Sequence, residues 1–340
     1  MLIGWRLMGG GSGETETIIP SVGTLGKNPI EFGTLFYNTH GRYPIAGEKV
    51  AFRLPPGNYP GIPFTNKPFL GKTPTWELGT GWGTFPTQMK LIIEGNQYSS
   101  GGCGLRAEPN VTWRSHTKYF CDGGNVMDFT GTESFINAST PLLLEGSGNL
   151  YSGGGGGESV HAVTPTVQNT TEGRSGAGFP YITVPAALTA QTITFGDNTL
   201  TYSIKAVGDT GSPISAGAGY GTITPGAGGG FGKMGSSGTT SGAYGPGVDI
   251  GTGGERGEAG VVFYYANNSD TRFSSAASIF AAINFDNYTG SINNIPASSW
   301  RNNLTVMRNA SMFGYIDHLS AFKHFFQGIS LATVVPAGTT

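Results

Sequence analysis

The chain carries little charge, almost no cysteine and no long apolar run. Asp, Glu, Lys and Arg make up 12% of its 340 residues, about half the usual share of about 25%. The formal charge is −2, so the sequence offers neither a basic nucleic-acid surface nor an acidic tail. Two cysteines, Cys103 and Cys121, are too few for a disulfide framework. The apolar stretch near the C-terminus is broken by Asp317, His318, Lys323 and His324, which argues against a membrane span there. The opening MLIGWRLMGGGSGETET holds too short an apolar stretch for a signal peptide. The sequence therefore predicts a protein made in a cytoplasm and not exported by the usual route.

Glycine is what the chain has instead, 58 residues of 340, more than twice the usual share of about 7%. Disordered chains combine low hydrophobicity with high net charge, and the near-neutral charge here points to a folded, glycine-rich protein of two or three domains. The fold class expected is mainly β, in three regions. Residues 1–90 form a β-rich N-terminal domain with strands over Ile30–Asn38 and Glu48–Leu54, followed by a Pro/Gly loop from Pro55 to Pro86. Residues 91–266 form a glycine-rich domain with an internal repeat: LIIEGNQYSSGGCG from Leu91 and LLLEGSGNLYSGGGG from Leu142. Leu91–Gly95 aligns with Leu142–Gly146, and after a two-residue insertion Asn96, Tyr98 and Ser99 align with Asn149, Tyr151 and Ser152. Residues 267–340 read as a small α-containing region, with a short helix over Ser274–Ile283 and an amphipathic helix over Ser311–Ile329 ending near Gly328.

The run Gly153–Gly157 stands directly behind the apolar Leu142–Leu144, and its state is decided by energetics. Ordering a backbone costs about 1–2 kcal/mol per residue, and glycine has no side chain whose burial offsets that. Hydrogen bonds return about 1 kcal/mol each, so an isolated run stays loose. Extended threefold glycine helices leave every N–H and C=O free for neighbours. A packed lattice of several such segments, anchored by strands, is the favoured reading; flexible glycine loops are the other.

Catalytic motifs are weak. Ala206–Pro213 contains Asp209 in an Asp-Thr-Gly-Ser turn, but aspartic-protease chemistry needs a second such carboxylate, and Asp249 lacks the Thr or Ser. Gly71–Thr73 resembles a phosphate loop, yet Pro68 and Pro74 interrupt it. Cys103, His116, Cys121 and His161 lack tight metal-ligand spacing. Glu94 and Glu145, which a carbohydrate-cleaving site would draw on, fall at equivalent repeat positions, and that favours a structural role. The sequence predicts no catalytic residue, no metal and no cofactor.

The apolar-strand-into-glycine units at Leu91 and Leu142, the run Gly153–Gly157, Gly226–Gly232 and the closing GGERGEAGVVFYY (Gly253–Tyr265) resemble the glycine-rich tail-fibre and tail-tip receptor-binding proteins of bacteriophages. The resemblance covers about half the chain. It implies a non-enzymatic virion protein of the tail that mediates host attachment, assembles as a homotrimer with other tail proteins, and binds a host-surface glycan or outer-membrane protein but no nucleic acid. Fibre-tip adhesins of this kind contact receptors through loops that interrupt the glycine framework. Tyr220, Phe231, Met234 and Tyr244 are thus the expected contact residues. Tyr59, Phe64, Phe69, Trp76, Trp82 and Phe85 in the aromatic loop are the alternative face, unless they pin that loop to the core. A structural virion protein without receptor contact, such as a fibre base or capsid-surface component, and an extracellular glycine-rich matrix protein are the competing readings.

Overall fold

Strict alternation over Gln88–Ile93 sends Met89, Leu91 and Ile93 to one side of a strand, and the same period recurs at Lys49–Leu54 and Leu142–Gly146. One apolar side per strand demands a partner surface. Here the chain supplies it by winding on itself. The structure, a computed structural model, describes residues 13–19, 29–60, 74–102, 122–132, 134–137, 139–163, 168–170, 176–177, 189–195, 198–204, 208, 210, 214–215, 221–242, 249–254, 256–257, 260, 262–264, 282–299 and 326–327.

The chain makes five coils of a parallel β-helix. The first holds β1 (Glu14–Ile18), β2 (Ile30–Glu31) and α1 (Phe32–His40); the second β3 (Lys49–Leu54), β4 (Asn58–Pro60) and β5 (Pro74–Glu77). The third holds β6 (Gln88–Ile93), β7 (Asn96–Tyr98) and β8 (Asn125–Asp128), and the fourth opens with β9 (Leu142–Gly146) and β10 (Leu150–Tyr151). A long insertion follows, containing β11 (Ser159–Val163), β12 (Gln168–Thr170), β13 (Thr189–Phe195), β14 (Asn198–Ile204), β15 (Ile214–Ser215), β16 (Thr222–Thr224), β17 (Thr239–Ser241) and β18 (Asp249–Gly254). Then β19 (Phe263–Tyr264) completes the fourth coil, and β20 (Ile283–Tyr288) and β21 (Phe326–Gln327) make the fifth. Three sheets result, ordered β1-β3-β6-β9-β20, β4-β7-β10 and β2-β5-β8-β19-β21, and every pairing within them is parallel. The inserted strands pair antiparallel. Strands from all three sequence regions share the first sheet.

Inside the coils, side chains stack in register. Phe52, Leu91 and Leu144 are Cα partners in successive strands, as are Trp76, Met127 and Phe263, and all six are buried. Each such side chain contributes about 1.5–3 kcal/mol by leaving water. On the outer face of the first sheet Arg53 joins Glu16 and Glu94, and Lys90 joins Glu14 and Glu145, so charge is paired across coils.

Several sequence expectations are corrected. The strand expected over Ile30–Asn38 is a two-residue strand leading into α1. Phe32, Phe36 and His40 lie four apart and share a helical face, and Phe32 and Phe36 are buried against Phe52 and Trp82. Gly41, at φ 67, closes the helix with its N–H on the Tyr37 carbonyl at 2.7 Å. The Pro55–Pro86 loop contains β4 and β5, because prolines at the strand ends, Pro60 and Pro74, remove no more than terminal ladder donors. The repeat needs no insertion: Lys90, Leu91 and Ile92 pair with Leu143, Leu144 and Glu145, and Gln97 and Tyr98 with Leu150 and Tyr151. Sliding LIIEG onto LLLEG by two residues preserves the inward parity, so the sequence match survives a wrong register. The helices expected over Ser274–Ile283 and Ser311–Ile329 lie outside the described residues, apart from Ala282, in a turn, and Ile283, Phe326 and Gln327, which are in strands. The strand expected over Glu48–Leu54 is β3, begun one residue later.

Candidate functional site

Tyr151–Gly157 is buried throughout, and its backbone shows why five glycines stand there. The N–H groups of Gly153, Gly154 and Gly155 donate in turn to Gly124, Ala177 and Lys233 at 2.8–2.9 Å. The directions then repeat every three residues. Gly155 and Glu158 donate to Lys233 and Ser236, and accept from Gly229 and Gly226; Gly153 and Gly156 accept from Gly260 and Gly257. That is the screw of a threefold extended helix. Around the central run lie segments 100–102, 123–124, 176–177, 226–229 and 233–236 and residues Gly257 and Gly260, and several of these also bond to one another. A Cβ on Gly154 would collide with the Gly229 carbonyl, and one on Gly157 with the Gly226 carbonyl. The glycine segments are packed and extended, as the energetics favoured.

The lattice grows from one corner of the β-helix. Segment 100–102 continues β7, 123–124 leads into β8, 153–157 continues β10, and Gly257 and Gly260 precede β19. Next to that corner an asparagine ladder ties the coils together. Asn96 donates to Asn58 and accepts from Asn149 at 2.9 Å each, and Asn149 accepts the N–H and hydroxyl of Ser291 at 2.8 Å.

The expected contact residues separate. Phe231, one of the expected contact residues, is buried, 6% exposed, with its ring 4.6 Å from Tyr151 and 5.8 Å from Tyr98. Those two tyrosines stack at 4.6 Å and 10°, and burial pushes the Tyr98 hydroxyl up to about 12, helped by Tyr151. Glycines alone build no core, but the outer face of β7 and β10 offers Phe231 an aromatic seat. Met234 stands 48% exposed. Tyr220, Tyr244, Phe64 and Phe69 lie outside the described residues. In the alternative face Tyr59 and Trp76 are core residues, and Trp82 is half-buried with its indole N–H on the Leu78 carbonyl at 2.5 Å. Phe85 is 40% exposed and stacks on Phe135 at 4.4 Å.

A carboxylate column escaped the sequence reading. Glu31, Glu77 and Asp128 are Cα partners in adjacent coils, on strands about 4.8 Å apart, with Tyr264 next in line. Each takes a threonine hydroxyl, from Thr34 at 2.9 Å, Thr80 at 3.2 Å and Thr130 at 2.5 Å. Burial pushes the Glu77 carboxyl up, and the charges of Glu31 and Asp128 push the same way. The signal was present as EFGT at Glu31, ELGT at Glu77 and DFTGT at Asp128, a turn motif of the first three coils hidden by unequal spacing. Glu94 and Glu145, by contrast, are held in the ion pairs with Arg53 and Lys90. Among the described residues no group of His, Cys, Asp and Glu is placed to hold a metal ion, and no helix is long and apolar enough to cross a membrane. No protein-family model, curated protein or solved structure matches the chain.

Proposed function

We propose that the chain is a structural protein of a phage tail, a fibre or tail-tip component that attaches the particle to the host surface and catalyses no reaction. The packed glycine lattice is the observation that carries this reading, because it is built from Gly153–Gly157 and the 226–229 segment, two of the glycine stretches that carry the resemblance to glycine-rich tail-tip proteins. A lattice of bare backbones has no side chains with which to do chemistry; it is a stiff support. The Glu31–Glu77–Asp128 column fits the same reading, since each carboxylate caps its own coil turn through a threonine. In this reading the virion is the protein's location, other tail proteins and a host-surface glycan or outer-membrane protein are its partners, and the assembly is a homotrimer. One observation favours the competing reading of a fibre-base protein without receptor contact: Phe231, the leading contact candidate, is buried in the framework.

Antibody labelling of the native particle in electron micrographs, together with competition of particle adsorption by the purified full-length protein, separates these readings. Tip labelling with blocked adsorption is expected. Labelling at the fibre base or capsid with undiminished adsorption would transfer the protein to the structural reading. Incubation with host polysaccharide should release no new reducing ends. Release that vanishes in Glu77→Gln would overturn the non-enzymatic assignment and point to the paired-carboxylate chemistry of glycoside hydrolysis.

A further inference from the structure

A glycine lattice has no internal means of setting its register. In a sheet with one buried face, a one-residue slip turns the apolar set outward and is penalised. A glycine segment has no side chains, and a slide of three residues along a threefold screw returns each N–H and C=O to an equivalent partner. Register must therefore be imposed from outside the lattice. Segments 100–102, 123–124 and 153–157 and residues Gly257 and Gly260 neighbour β7, β8, β10 and β19 in the chain and take their register from those coil strands. Segments 226–229 and 233–236 adjoin β16 and β17 of the insertion instead, which pair with each other in a sheet separate from those of the coils.

They are joined by the tight turn Gly230–Lys233, in which Lys233 donates to the Gly230 carbonyl at 3.0 Å. Phe231 sits in that turn, seated on Tyr98 and Tyr151, whose relative position is fixed by the pairing of β7 with β10. The turn is held down beside it. Gly232, at φ 62, donates to the Ser152 carbonyl at 3.1 Å, and a side chain at this position would strike the Asn293 amide. The residues two before and two after Phe231 meet on one glycine: Gly229 donates to Gly155, and Gly155 donates to Lys233.

We propose that Phe231 is the register key of the lattice: a side chain in an aromatic notch of the β-helix that sets which residues of the 226–236 hairpin face the central glycine run. Moving the ring by one step would move both bonds to Gly155 together. Phe231 thereby transfers the side-chain-encoded register of the coils to a hairpin whose own side-chain bond, from the Ala227 N–H to the Ser236 hydroxyl at 2.7 Å, fixes only its two arms relative to each other.

The test uses the full chain labelled with 15N-glycine, 15N-leucine and 15N-isoleucine. In Phe231→Ala the lattice glycines, Gly154–Gly157, Gly229 and Gly235 among them, should split into more than one set of amide resonances and exchange at least tenfold faster. The amides of Leu91, Ile93 and Leu144 should stay within twofold of wild type. Phe231→Leu, which refills the notch, should restore a single set, and Met234→Ala, at the exposed neighbour, should change neither observable. A single, wild-type-like set of lattice resonances in Phe231→Ala would overturn the proposal. So would equal acceleration of the coil amides or loss of the whole fold, because Phe231 would then be an ordinary core residue.

Discussion

Glu48 shows how much one side chain can hold at the first corner of the solenoid. It is buried yet accepts bidentate hydrogen bonds from Arg42 at 2.7 and 2.8 Å, the Ile45 N–H at 2.8 Å and the Thr15 hydroxyl. The Arg42 hydrogen bonds lead in holding its carboxyl down at about 2, with Thr15 and Ile45 adding to them against the cost of burial. A depressed carboxyl stabilises the fold fully above its ordinary value near 4.5 and loses that contribution as pH falls from there towards about 2. Glu48→Gln should therefore lower the denaturation midpoint at pH 7 and flatten its decline between about pH 4.5 and 2; an unchanged acid slope would contradict the assignment. Glu77 has the opposite sign. Its raised carboxyl carries a penalty above its folded value that is relieved as pH falls, so Glu77→Gln should raise the melting temperature slightly at pH 7. A fall there would instead mark the carboxylate as a needed cap for Thr80.

At the level of elements, two devices hold the coils and the lattice together, and they fail differently. The asparagine ladder is made of side chains: Asn96→Ala removes the partner of Asn58 and Asn149, and urea denaturation should report a loss of about 2 kcal/mol. The lattice is made of backbones, so it fails by addition. Gly154→Val places a side chain against the Gly229 and Gly230 carbonyls, and the cost should reach about 3 kcal/mol or more. An equally stable Gly154→Val protein would mean that the segments do not pack closely. The ladder's residues were visible in the sequence as Asn96 and Asn149 of the repeat. Ser291 was not, because it lies in no copy of the motif; Asn58 follows Gly57 as Asn96 follows Gly95 and is its Cα partner, but the strand before it, Lys49–Leu54, shares too little sequence with LIIEG to mark a third copy.

Across the whole molecule, the order of the chain and the order of the sheets differ in a simple way. The second, third and fourth coils each visit the three sheets in turn, and the 111 residues between Tyr151 and Phe263 are one excursion from a coil that afterwards closes normally. The lattice and the β-helix are thus continuous through the same hydrogen-bonded backbone. Amide exchange should show Gly153–Gly157 protected as strongly as β6; rapid exchange would return the run to a flexible linker. Unfolding of lattice and coils in one transition is the matching expectation, checked by following glycine and tryptophan probes through the same denaturant series.

Composition and periodicity determined that this chain is mainly β, that glycine runs behind apolar strands should pack and not hang free, and that Leu91 and Leu142 head copies of one unit. These are local properties: parity of side chains along a strand, and the free-energy cost of ordering glycine without burial. Tertiary structure alone decided the rest. Coils separated by unequal excursions stack on one another, so partners such as Glu31, Glu77 and Asp128, or Asn58, Asn96 and Asn149, share no constant spacing in the sequence. The burial of Phe231 likewise depended on a tyrosine pair more than seventy residues away. A glycine segment carries no side-chain pattern at all, so its neighbours, its register and its direction are set only where the surrounding fold sets them.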